Sequence, residues 1–168
     1  MSRELAMKTP TDKTSTSQPN GDTQIRKPVL QRGSYGSDVV ELQKLLLHWE
    51  IYFDALDGLF DKPVETAVKA FQHRVFLKED GIVGPLTWQA LYTGMPVNMP
   101  ILRPGSSGEA VILLQTVLQK FGYFKETING TFGARTDAAV RVFQKRCGLV
   151  PDGVVGPYTW LALSKVPH

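Results

Sequence analysis

The chain repeats itself. Shifting the sequence by 72 positions lays residues 30–91 over residues 102–163 without a gap, and 25 of the 62 pairs are identical. A repeat of about 60 residues is long enough to close its own small core, so the duplication restricts the fold to two tandem copies of one compact module. The shared positions include Gly33, Ser34 and Gly36 with Gly105, Ser106 and Gly108. They continue with Leu42-Gln43 and Leu114-Gln115, Phe71-Gln72 and Phe143-Gln144, and Thr87-Trp88 and Thr159-Trp160.

Each copy reads as three helices. Val39, Leu42, Leu46 and Trp49 recur at helical spacing, as do Val111, Leu114, Leu118 and Phe121 in the second copy. Ser37 with Asp38, and Ser107 with Glu109, stand where an N-cap and a first-turn acid are expected. A turn follows at Asp57-Gly58 and Asn129-Gly130, and a second helix is predicted near residues 63–74 and 134–146. Its buried face carries Val64, Ala67, Val68 and Phe71, matched by Ala138, Ala139, Val140 and Phe143. A second turn, Asp80-Gly81 or Asp152-Gly153, leads to Pro85 or Pro157, which can open a third helix. Trp88 and Leu91, or Trp160 and Leu163, then complete the core. The predicted fold class is all-α, with two tandem small three-helix domains over residues 29–92 and 102–166. Residues 93–101 carry two prolines and no charge and read as a short semi-rigid linker. Residues 1–28 are rich in Thr, Ser, Lys and Pro and poor in large apolar side chains, so they are expected to form a disordered tail.

Composition removes several classes of function. A net charge of +3 is too small to argue for nucleic acid as a partner. One cysteine, Cys147, and three scattered histidines, His48, His73 and His168, give no metal-ligand spacing, and neither a metal nor a cofactor is expected. Cys147 takes the place of Val75 and reads as a small buried thiol. No run reaches the roughly 18 apolar residues that a membrane helix needs, and the first residues lack the apolar core of a secretory signal. Charge nevertheless separates the copies: residues 30–92 hold nine acids and six bases, or −3, whereas residues 102–164 hold four acids and seven bases, or +3. Either the basic second copy favours carboxylate-bearing material, or the difference is neutral drift of solvated surfaces.

The motif D/N-G-x-F, followed by A-V-x-x-F-Q and then D-G-x-V-G-x-x-T-W-x-x-L, occurs twice. It runs through Asp57 to Phe60, Ala67 to Gln72 and Asp80 to Leu91, and again through Asn129 to Phe132, Ala139 to Gln144 and Asp152 to Leu163. This pattern resembles the peptidoglycan-binding domain of bacterial and phage wall enzymes. The resemblance implies a compact three-helix fold that attaches to glycan strands or stem peptides, usually beside a hydrolase or peptidase domain. The first copy departs from it, with Asp61 in place of a glycine and Val64 in place of a threonine, both of which the second copy keeps as Gly133 and Thr136. No acid–base pair, activated nucleophile or metal set is visible, so the expectation is non-catalytic binding of peptidoglycan by a monomer that is not an enzyme. A separate cell-wall hydrolase is a further expected partner. The rival readings are a cell-wall hydrolase such as an amidase or peptidase, or its accessory, and a protein–protein adaptor. The resemblance places the protein in the cell envelope or periplasm, and the missing signal keeps the cytoplasm open.

Most of the repeated motif serves as scaffold in this reading. Ligand candidates are the polar residues retained in both copies: Gln43 and Gln115, Gln72 and Gln144, Arg74 and Arg146, and Asp80 and Asp152. A saccharide–peptide polymer offers hydroxyls, amides and carboxylates, which amide and acid side chains and a bidentate arginine can hold. The arginines follow Gln72 and Gln144 by two residues, which turns them to another face of the helix.

Overall fold

The structure, a computed structural model, describes residues 26–168. Among them lie six helices: α1 (Ser37–His48), α2 (Lys62–Arg74), α3 (Pro85–Thr93), α4 (Glu109–Lys120), α5 (Ala134–Arg146) and α6 (Pro157–Lys165). Only isolated antiparallel bridges accompany them, Leu30 with Val83 and Tyr35 with Leu59, repeated as Leu102 with Val155 and Ser107 with Thr131. The fold is all-α and built from two tandem three-helix units. Most of the expected tail lies outside the described residues, but Lys27 and Pro28 at its end are bound. Lys27 pairs with Asp38 at 3.1 Å and Glu41 at 2.5 Å and lies over the Trp88 ring, and Trp88 donates its indole N–H to the Pro28 carbonyl at 2.9 Å.

The helix starts differ in one respect from the serine caps expected. Gly36 and Gly108, at φ 117° and 113°, precede α1 and α4 without a side-chain cap, and Ser37 is already helical. The reason is a close passage of backbone: Gly36 N–H donates to Gly58 O at 2.9 Å, and Gly108 N–H to Gly130 O at 3.0 Å. The backbone angle this requires is one that side-chain-bearing residues rarely adopt. At α2 the Asp61 carboxylate accepts from Val64 N–H at 3.2 Å, so the residue that breaks the repeat supplies a cap that Gly133 cannot. Pro85 and Pro157 open α3 and α6, where their missing N–H costs nothing.

Each copy encloses its own core. The first gathers Val39, Leu42, Leu46, Phe60, Val64, Val68, Phe71, Val83, Trp88 and Leu91; the second gathers Val111, Leu114, Leu118, Phe132, Val140, Phe143, Val155, Trp160 and Leu163. Trp88 and Trp160 are fully buried, and Trp160 donates to the Pro100 carbonyl at 2.8 Å, as Trp88 does to Pro28. Residues 93–101, read as a linker, therefore carry contacts of both copies. Val97 is buried in the first core and Met99 packs against the second. Cys147 is exposed, whereas Val75 is buried, which corrects the expected buried thiol. Both residues cap their helices with the same bond, to Phe71 O and Phe143 O, so the difference lies in what covers the position.

Among the described residues the copies meet around Phe76. Phe76, at φ 62°, packs edge-on against Trp160 with centroids 5.6 Å apart and stacks on His168 at 4.6 Å. His73 Nδ1 lies 2.6 Å from Glu79 Oε1 and its Nε2 lies 2.5 Å from the His168 carbonyl, while His168 Nε2 lies 3.0 Å from His73 O.

Candidate functional site

The four retained glutamines are fully buried, and each clamps an Asx-Gly turn. Gln72 Oε1 accepts from Gly81 N–H at 3.0 Å, while its amide nitrogen donates to Asp80 Oδ1 at 3.0 Å, Ile82 O at 2.9 Å and Thr87 Oγ1 at 3.2 Å. Gln144 repeats this with Gly153, Asp152, Val154 and Thr159. The same clamp forms one turn earlier in each copy. Gln115 binds Gly130, Asn129, Thr131 and Thr136, and Gln43 binds Gly58, Asp57 and Leu59. Where Thr136 stands in the second copy the first has Val64, and the Tyr52 hydroxyl, 3.4 Å from Gln43 Nε2, takes the place of that acceptor. The departure at Val64 is thus compensated from another element.

The aspartates are held as carboxylates. The Ile82 backbone N–H, followed by the Gln72 amide, keeps Asp80 below the usual carboxylate range; Val154 N–H and Gln144 do the same for Asp152. For Asp57 the Gln43 amide is the larger cause and Leu59 N–H the next. In every case Oδ1 makes the bonds of the clamp, on an aspartate that is itself exposed.

Beside the second turn of each copy lies a cleft built from equivalent residues. Gln72, Leu77, Asp80, Gly84, Pro85 and Thr87 line a space of about 220 Å³ in the first copy. Gln144, Leu149, Asp152, Gly156, Pro157 and Thr159 line one of about 290 Å³ in the second. The remaining three wall positions change together, from Lys78, Ile82 and Leu86 to Val150, Val154 and Tyr158. A further cleft of about 330 Å³ lies at the Asn129 turn, lined by Gln115, Thr131, Thr136, Arg135 and Glu126 among others.

The structure thus brings Gln72 and Asp80, and Gln144 and Asp152, together at the two equivalent clefts and Gln115 to the cleft at the Asn129 turn, whereas Gln43 lines none of these; all four glutamine amides are engaged inside the fold. It does not bring the arginines there. Arg74 donates to Trp49 O at 3.2 Å and lies over the Trp49 ring, and Arg146 is exposed; neither lines these clefts. Tyr158 and Val150, each 74% exposed, were missed because a search for polar residues kept in both copies discards them. The available signal was an aromatic residue directly after the helix-opening Pro157, where the first copy has Leu86. Among the described residues no group of three or more His, Cys, Asp or Glu could hold a metal ion, and no helix is long and apolar enough to cross a membrane.

Comparison with known proteins identifies the family. The family described as "putative peptidoglycan binding domain" matches residues 35–91 and again 107–163, more than half of the chain. The chain is 36% identical over 110 residues to the N-acetylmuramoyl-L-alanine amidase CwlM of Mycobacterium tuberculosis, covering 62% of this chain and 27% of that one. It is 31% identical over 166 residues to a probable N-acetylmuramoyl-L-alanine amidase of Bacillus licheniformis, covering 86% and 46%. Among solved structures, the N-terminal domain of SleB shares 37% identity with a TM-score of 0.40, covering 40% of this chain and 92% of that one. The chain spans between about a quarter and a half of the length of the two amidases. These matches correct the expectation that the protein is not an enzyme. Its relatives are named as enzymes, and the lack of a catalytic constellation describes only the residues in hand.

Proposed function

The chain belongs to the peptidoglycan-binding domain family, and from that premise we propose that it holds bacterial peptidoglycan through its two modules and serves as the wall-attaching part of a wall-lytic activity. The observation that carries this reading is the pair of equivalent clefts at Asp80 and Asp152, each beside a turn fixed from beneath by a buried glutamine. A rigid turn with one ionised oxygen left free is a preorganised acceptor for the hydroxyl and amide donors of the polymer. Two such modules on one chain raise retention on a repeating lattice well above that of either alone. The protein works as a monomer at the cell wall, and a hydrolase acting on that wall is its partner in function, whether joined to it or separate.

Co-sedimentation with purified sacculi tests the reading. The protein is expected in the pellet, released by an excess of solubilised wall fragments. Recovery in the supernatant at every sacculus concentration would overturn it and favour a protein-binding adaptor.

A further inference from the structure

We infer that the cleft of the second copy is a saccharide subsite, in which Tyr158 stacks on the apolar face of a pyranose ring and Asp152 accepts from its hydroxyl or acetamido N–H groups. This rests on the peptidoglycan reading and assigns the glycan strand, rather than the stem peptide, to this cleft. The duplication itself isolates the relevant chemistry, because six wall positions are the same in both copies and three differ.

Tyr158 and Val150 flank the cleft and stand out into solvent, each 74% exposed. An aromatic face at the start of α6, directly after Pro157, offers a large contact area with only two side-chain torsions to fix on binding. The polar group at the cleft is Asp152, whose Oδ1 is bound by Gln144 at 3.1 Å and by Val154 N–H at 2.9 Å. Its second oxygen takes no hydrogen bond from the described residues. The lining contains no cation, since Val150 replaces the Lys78 of the first copy. Arg141 nearby is engaged by Asp137 at 3.1 Å and by the Pro151 carbonyl at 2.9 Å. The cleft's own lining thus presents an ionised acceptor and no cation, and Arg141 beside Gly153 is already paired with Asp137, which disfavours the carboxylates that stem peptides carry and favours neutral donors. A ligand that is neutral, apolar on one face and rich in donors at its edge is an N-acetylated amino sugar. The first copy lacks the aromatic platform, with Leu86 and Lys78 in these places, and takes this ligand weakly if at all.

The test is a titration of the full chain, followed by amide NMR, with peptide-free chitotetraose in one arm and a sugar-free stem tetrapeptide in the other. Chitotetraose is expected to shift amides around residues 150–159, and Tyr158→Ala to weaken it about tenfold. Tyr158→Phe, which keeps the ring, should stay within about twofold of the parent. Asp152→Asn should also weaken binding while leaving the turn intact, because Asn129 makes the same clamp in the same copy. Chitotetraose binding that is absent or indifferent to Tyr158→Ala, or stem-peptide shifts at residues 150–159 in its place, would overturn the subsite. If sacculi retain the protein while chitotetraose does not bind, the peptidoglycan reading stands and the sugar assignment falls. If chitotetraose binds through Tyr158 but sacculi do not retain the protein, the sugar site stands and the wall reading falls.

Discussion

Gln144 makes more of the second turn than Asp152 does. Its single amide group satisfies the Gly153 N–H, the Val154 carbonyl and the Thr159 hydroxyl in a place that water does not reach. Such a group can be replaced by an apolar one of similar size only by leaving several buried partners unpaired, at roughly 1–3 kcal/mol for each uncompensated group. Gln144→Leu is therefore expected to lower stability by about 3 kcal/mol, read from the denaturant midpoint at unchanged slope. A loss below about 0.5 kcal/mol would mean that water or a rearranged turn replaces the clamp. Retention of the glutamines in both copies is explained by this clamp, whereas the exposed neighbours Tyr158 and Val150 owe nothing to folding and were free to differ from Leu86 and Lys78.

At the scale of the helices, the ends of α1 and α3 are fitted to each other. Gly94 ends α3 in the left-handed region at φ 72°, and Trp49, just past α1, donates its indole N–H to Leu91 O at 2.8 Å. A β-carbon on Gly94 would stand 2.3 Å from the Trp49 ring. Gly94→Ala thus combines an unfavourable backbone with a collision against an aromatic side chain, and a cost of about 2–4 kcal/mol is expected in thermal unfolding of the first copy. The second copy is the internal control, since its α6 ends in Val166 with extended backbone and carries no such glycine. The helices themselves were legible from the apolar spacing of Val39, Leu42 and Leu46 and from Pro85 and Pro157. Their starts at Gly36 and Gly108 were not, because these caps are set by a backbone contact with turns more than twenty residues away.

At the scale of the whole molecule, the two copies are held in one orientation by Phe76. Its counterpart in the second copy is Gly148, also left-handed at φ 74°, so the first copy places a bulky residue where its twin uses the residue suited to that backbone. A strained backbone of this kind costs about 1–2 kcal/mol, and the packing of Phe76 on Trp160 and His168 offsets it. Phe76→Gly should leave each core folded, with the first copy stabilised by up to about 1 kcal/mol, while the modules tumble separately. Shorter rotational correlation times in NMR relaxation are the expected result, and unchanged tumbling would show that the contact does not fix the orientation. The same contact responds to pH. The His168 carbonyl, and then Glu79, raise the pKa of His73 against opposing effects of desolvation and Lys120. A raised folded-state value favours the protonated form, so its contribution is fully present below the ordinary histidine value near 6.5 and is lost as pH rises through the higher folded value. Docking of the copies is expected to loosen as the solution is taken from about pH 6 to pH 8, measured as a falling correlation time that His73→Gln no longer shows.

The sequence by itself determined the duplication, the all-α class and the six helices, because these depend on residues near one another in the chain or on comparison of one copy with the other. Tertiary structure alone decided what those residues do. It turned the glutamine amides inward, drew Arg74 onto Trp49 and away from the clefts, and brought Tyr158 to the rim of a cleft shared with Asp152. It also set Phe76 against Trp160 across the two copies. Each of these depends on which side chains meet after the helices pack, and a side chain buried as a clamp and one exposed as a platform can have the same local spacing in the sequence.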